Sequence, residues 1–379
     1  MLNKKKILFL TGTRADYGKL KSLMSKVESS DAFELNIFVT GMHMMSKYGM
    51  TSIEVEKNGF KNIYKYINQN LNDSMDTVLA KTVLGLSDYV KELEPDLIVV
   101  HGDRVEAMAG AIVGSLNNIL VSHVEGGEVS GTIDELIRHS ISKMAHIHFV
   151  SNAIAKKRLL QLGELDASVY EIGSPDLDIM VSENLPTIKQ VRSKYQISFS
   201  DYGVLMFHPV TTELAGLKAE IKSIVDAVIM SGKNYVVIYP NNDHGTDIIL
   251  EEYERFEGLE RIRVFPSVRF EYFLVLLKNC MFMLGNSSAG VREAPFYGLP
   301  SINLGSRQNN RSTSTSVINV SSDSKCILNA IEGLKEFTCS PFREFGEGNS
   351  DKLFMDALNG ETLWRTSQQK LFNDLGRIQ

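Results

Sequence analysis

At 379 residues the chain exceeds one ordinary domain, so two domains of roughly 150–200 residues are expected. Its 43% hydrophobic and 23% charged residues are the balance of a soluble globular protein and exclude disordered and fibrous classes. The net charge of -6, from 40 Lys and Arg against 46 Asp and Glu, excludes a nucleic-acid footprint but leaves room for a local basic cleft.

"MLNKKKILFL" begins basic and turns apolar, but the run stops at Thr11-Gly12, too short for a signal core or a membrane span. It reads as a first strand. The following Gly12 to Lys19 mimics two nucleotide motifs and fits neither. Five residues separate Gly12 from Gly18, Leu20 follows Lys19, and no G-x-G-x-x-G is present. Two readings stand for it: a plain strand-to-helix turn, or a phosphate contact made by Arg14 and the helix start.

Apolar runs of strand length then alternate with helix-length amphipathic segments: "ILFLT", "LNIFVT", "LIVVHG", "ILVSH", "IHFVS" and "VYEIG". This is the pattern of βαβ units and a parallel sheet covered on both faces. The rhythm pauses near "GSPDLD" and resumes with "GVLMFHP", "YVVIYPN", "IRVFPS", "MFMLGN" and "PSINLGS". The expected fold is therefore α/β: two Rossmann-like domains with parallel sheets, over 1–173 and 174–362, with an active site in the cleft between them. A C-terminal helix over 363–379 is expected to pack back on the first. Cys280, Cys326 and Cys339 are odd in number and lack metal-ligand spacing, which fits a reducing cytoplasm.

In open parallel sheets, ligands sit beyond the carboxyl ends of the strands. The loops there are polar and charged. Ser122 to His139, "SHVEGGEVSGTIDELIRH", holds four carboxylates, two histidines and three glycines. "VVHGDR" delivers Asp103 and Arg104 to the rim, and "VSHVEGG" delivers Glu125 beside them from a strand about 4.8 Å away. Asp134 enters from the next helix. Crowded carboxylates split their pKa values and hold one acid and one base near neutrality. The plainer readings are a helix N-cap for Asp134 and a solvated surface for Glu128 and Glu135.

His146 and His148 alternate in "AHIHFV" and share a face, but no third ligand accompanies them, so both read as structural rather than metal-binding. His208, before Pro209 at a strand end, reads as functional. "LGNSSAGVRE" ends a strand, with a helix expected to begin near Ala289. Free N–H groups and the helix macrodipole would make an anion site there with Ser287 and Ser288, unless one serine merely caps the helix.

Together, "TGTRADY", "VHGDR", "HVEGGEVSGTIDELIRH", "FHPVTTE", "GNSSAGVRE" and "INLGSRQ" resemble the hydrolysing UDP-N-acetylglucosamine 2-epimerases, in order over nearly the whole chain. The resemblance implies a glycosyltransferase-B type fold, release of UDP with inversion at C2 to give free N-acetylmannosamine, and a place in the sialic or legionaminic acid branch. It implies a cytoplasmic homodimer or homotetramer whose partners are a UDP-sugar and UDP, with no nucleic acid, membrane, cofactor or metal. It matches Asp103, Glu125 and Asp134 to catalytic acids. It also matches Arg14, Arg104, His208, Asn241, Val268, Ser287, Ser288, Glu293 and Arg307 to nucleotide and sugar contacts. Gly18 stands where the family often has serine. "RFEYF", "GFKNIY" and "LLKN" resemble paralogues acting on UDP-2,4-diacetamido-trideoxyhexoses. A glycosyltransferase and a nucleotide-sugar binding protein are the competing classes.

Overall fold

The computed structural model describes residues 4–130, 133–211, 213–241, 243–308 and 311–374. Two compact units emerge. One comprises the chain up to Glu128, Asp134–Ser182 and the segment from Phe345; the other comprises Val129–Ile133 and Glu183–Glu344. The divisions expected after residues 173 and 362 thus fall instead after Ser182 and before Phe345.

The first unit is built on seven parallel strands: β1 (Lys5–Thr11), β2 (Phe33–Val39), β3 (Ile63–Lys65), β4 (Leu97–His101), β5 (Leu120–Val124), β6 (Ile147–Val150) and β7 (Val169–Glu171). Their order is β3-β2-β1-β4-β5-β6-β7. β4 and β5 are buried throughout, as a strand sandwiched between two helical layers must be. The edge strand β3 was not expected. Its "IYK" is half exposed, so no apolar run announces it.

The second unit has six parallel strands: β8 (Gly203–Met206), β9 (Tyr235–Ile238), β10 (Ile262–Phe265), β11 (Phe282–Gly285), β12 (Ser301–Leu304) and β13 (Val317–Val320), in the order β10-β9-β8-β11-β12-β13. The unexpected member is again an edge, β13, with no fully buried residue. Each sheet reverses its strand order once, between β1 and β4 and between β8 and β11. Those are the points at which doubly wound sheets open a crevice.

The returning C-terminal segment completes the first core. Helix Ser350–Asn359 buries Phe354, whose ring lies 6.1 Å from Phe9 and 4.7 Å from Phe149. Asp178 caps that helix, accepting from the Ser350 N–H at 2.7 Å and the Asp351 N–H at 2.8 Å, and burial pushes its carboxyl up to about 6. Among the described residues, the helix expected over 363–379 does not extend past Trp364, and residues 365–374 run irregularly; the last five positions lie outside the described residues. Side chains hold this stretch in place of helical hydrogen bonds. Lys370 reaches the buried Glu164 at 2.5 Å and the Ala145 carbonyl at 2.6 Å.

Candidate active site

At the exit of β1, Thr13 caps helix Arg14–Glu28 and Asp16 returns the bond, giving a capping box. Asp16 also accepts from the N–H groups of Gly12 at 3.0 Å and Thr13 at 3.1 Å, and from the Thr11 hydroxyl. The Asp16 carboxylate thus takes the Gly12 and Thr13 N–H groups of the turn that opens this helix. Arg14 forms a two-pronged pair with Glu54, at 2.9 and 2.6 Å. His43 spans Thr11 and Thr51 at 3.0 and 2.6 Å, and burial pushes its pKa down to about 4.

β4 and β5 are hydrogen-bonded neighbours, with His101 opposite Val124, so their ends present Asp103 and Glu125 side by side. One side chain engages both. Arg138, 2% exposed, pairs with the Asp103 carboxylate and donates to the Glu125 carbonyl at 2.8 Å. Arg138 lies on helix Ile133–Met144, one turn after Asp134, which is the second residue of that helix and not its cap. Arg104 precedes the next helix and contacts Glu106 at 3.3 Å.

Glu125 sits in left-handed backbone, φ 65°, a costly conformation for a residue with a Cβ. Its surroundings enforce it. The N–H donates to the Phe149 carbonyl at 2.9 Å and the carbonyl is held by Arg138. The buried carboxylate accepts from Ser174 at 2.6 Å, with His101 at 3.2 Å and Lys19 at 3.8 Å. Lys19 also pairs with the fully buried Asp176 at 3.3 Å. Two buried carboxylates thus share one buried ammonium, beside the His101 imidazole. Glu128, expected at the surface, is buried and accepts from Ser151 at 2.9 Å; Glu135 is half-buried, 3.4 Å from His139.

In the second unit the loops after β8 and β11 are tied by Asn286. Its side chain accepts from the His208 N–H at 2.7 Å and donates to the His208 carbonyl at 2.8 Å. Its own carbonyl accepts from Arg307 at 3.3 Å and Gln308 at 2.9 Å. The His208 Nδ1 accepts from the Asn241 N–H at 3.1 Å, and Thr246 donates to the Asn241 carbonyl at 2.5 Å. Burial, then the Arg307 charge, drives the His208 pKa well below its usual value, so the ring is neutral. Four loops converge through these bonds.

Ser287 caps a single 3-10 turn, Ser288–Gly290, and the α-helix that follows is only Glu293–Phe296. The α-helix expected to begin near Ala289 thus starts four residues later and runs for one turn, too short for a substantial macrodipole. Ser288 is half-buried. Glu293 is buried in the first turn of the short helix, and Val268 is buried between β10 and helix Phe270–Lys278.

A family profile described as UDP-N-acetylglucosamine 2-epimerase matches residues 25–359. A Neisseria meningitidis protein named UDP-N-acetylglucosamine 2-epimerase is 46% identical over 375 residues, covering 98% of this chain and 99% of that protein. The chain belongs to the UDP-N-acetylglucosamine 2-epimerase family. A Legionella pneumophila relative named UDP-N,N'-diacetylbacillosamine 2-epimerase (hydrolyzing) is 34% identical, covering 89% of this chain and 90% of its own length. In fold, the chain is similar to the crystal structure of a Neisseria meningitidis UDP-GlcNAc 2-epimerase bound to UDP-GlcNAc. The TM-score is 0.80 at 19% identity, over 93% of this chain and 99% of that one. The fold is the glycosyltransferase-B type, two Rossmann-like parallel sheets.

For this epimerase-family chain, sequence reasoning missed Arg138, Asp176, His101 and Asn286. Arg138 follows the acids of "DELIRH" and Asn286 precedes the serines of "GNSS", and neither stands out from its neighbours by residue type or spacing. "GSPDLD", which breaks the strand–helix rhythm, supplies Ser174 and Asp176 to the Glu125 carboxylate and its lysine.

Proposed function

We propose that the protein is a hydrolysing UDP-N-acetylglucosamine 2-epimerase, converting UDP-N-acetylglucosamine and water to N-acetylmannosamine and UDP. The observation that carries this reading is the clustering at the ends of β4 and β5: Asp103 and Glu125 joined by Arg138, with Glu125 buried among Ser174, His101 and Lys19. Carboxylates repel a diphosphate, so such a group serves a binding protein poorly unless it reacts.

C2 of the sugar has no neighbouring carbonyl, so its hydrogen is hardly acidic until the C1–O bond begins to break. UDP leaves with that bonding pair while a carboxylate removes the C2 proton, and the C2–H electrons form the C1=C2 bond of a 2-acetamidoglycal. Water then adds hydroxyl to C1 while an acid delivers a proton to C2 from the opposite face. Asp103, ion-paired and therefore a carboxylate, is assigned to the elimination; Glu125 and Asp134 are assigned to hydration. In the second unit His208, Asn241, Ser287, Ser288 and Arg307 are assigned to the nucleotide, with Val268 and Glu293 contributing contacts. Arg14 and Arg104 supply further cationic contacts once they exchange Glu54 and Glu106 for substrate.

Proton NMR of the product formed in D2O tests this. Expected are free N-acetylmannosamine with deuterium at C2 and stoichiometric UDP. Recovery of a UDP-linked epimer, or binding without UDP release, would overturn it. Glycal should accumulate in Glu125→Gln or Asp134→Asn. The second reading, the same chemistry on a UDP-2,4-diacetamido-trideoxyhexose, is favoured by the Legionella relative. The higher identity and fuller coverage of the Neisseria protein favour the first.

A further inference from the structure

Helix Ile133–Met144 meets the Asp103 turn twice. Arg138 takes the carboxylate directly; one turn later Ser142 reaches the same turn through His123, a fully buried residue of β5. The His123 Nδ1 lies 3.0 Å from the Ser142 hydroxyl and the Nε2 lies 2.8 Å from the carbonyl of Gly102. A carbonyl only accepts, so Nε2 carries the hydrogen and, in a neutral ring, Ser142 donates to Nδ1.

Gly102 is the residue before Asp103, at φ 73°, and its N–H is held by the Val124 carbonyl at 3.0 Å. Both of its backbone polar groups are therefore fixed by β5. Space is reserved for the arrangement. A Cβ on Gly126 would come within 2.9 Å of both the His123 Nδ1 and the Ser142 hydroxyl. Burial, together with Arg138, His148 and His101 nearby, pushes the His123 pKa down to about 3, although the bond to Gly102 opposes it.

We infer that His123 is a positioning residue for Asp103: a neutral imidazole, protonated on Nε2, that pins the Gly102 carbonyl and so aims the carboxylate. The inference rests on the reading of Asp103 as the elimination base. A residue with this role acts through geometry alone, and a misplacement of about 1 Å at a reacting group is worth roughly 100-fold in rate.

The test pairs His123→Leu, which removes both bonds, with His123→Gln, whose amide restores an N–H near Nε2. On UDP-N-acetylglucosamine, His123→Leu should lose kcat by roughly 10–100-fold with KM nearly unchanged, and His123→Gln should recover most of it. Nitrogen-15 NMR of the wild-type ring should show the Nε2–H tautomer throughout pH 5 to 8. An Nδ1–H tautomer, titration inside that range, full kcat in His123→Leu, or no recovery in His123→Gln would each overturn the inference. Should wild-type protein turn over neither sugar, the proposed function fails by itself. The tautomer and amide exchange at Asp103 and Arg104, faster in His123→Leu and restored in His123→Gln, then still decide whether His123 pins the turn. Failure of His123→Leu to fold leaves the tautomer and the His123→Gln kinetics to decide.

Discussion

The two units place side chains of opposite character at the same strand-order reversal. At the rim of the first, carboxylates dominate and three of them are answered by a buried cation: Asp103 by Arg138, Glu125 and Asp176 by Lys19. At the rim of the second, the groups that tie the loops are neutral, namely the Asn286 amide, the His208 imidazole and backbone N–H and C=O groups, with the Arg307 guanidinium beside them. A rim of paired charges can move protons, whereas a rim of neutral donors can hold an anion without reacting with it. The difference predicts that lesions in the first unit act on turnover and lesions in the second on affinity.

The sharpest break in that division comes from Asp103→Asn. It should lower kcat for UDP release by about 10²–10⁴-fold with little change in KM. A rise in KM alone would erase the distinction between the rims. Next, Phe354→Ala empties the aromatic stack over Phe9 and Phe149 and should cost the first unit about 3–5 kcal/mol. Hydrogen exchange should locate the loss in β1, β4 and β6 and leave β8 and β11 protected.

Asn286→Ala leaves the His208 N–H and carbonyl without their shared partner, at about 1–3 kcal/mol for each buried group left unpaired. UDP inhibition should weaken about tenfold or more while kcat is largely kept. An equal loss of kcat and affinity would count against a binding role for this rim.

The smallest effect concerns acid. The folded pKa values of His43 and His123 are lowered to about 4 and about 3 from 6.5, so the unfolded chain binds more protons below pH 6.5. Their stabilisation is present above pH 6.5 and lost as pH falls. One unit below, each costs about 1.4 kcal/mol. His146 and His148 are lowered in the same unit, and Asp178, raised to about 6, offsets only part of the loss, against His208 in the other, so denaturant midpoints at pH 7.5 and 5.5 should show the first unit losing more.

Central strands were legible because burial on both faces writes a continuous apolar run, and the rim loops because charge and glycine interrupt it. What stayed hidden is the exposed or the doubly used. β3 and β13 lack apolar runs because edges are half wet. Arg138 stayed hidden because pattern alone does not distinguish a solvated arginine from one buried against a carboxylate. Residues from Leu363 onward looked helical, yet the links from Lys370 and Gln368 to Glu164 and His146 are tertiary and leave no local period.

The return of Phe345 and the residues after it to the first unit also sets an order of synthesis. Glu183–Glu344 is nearly all of the second unit and leaves the ribosome unbroken, so that unit can settle while translation continues. The half that begins first must finish last, its aromatic core open on one side until Phe354 emerges.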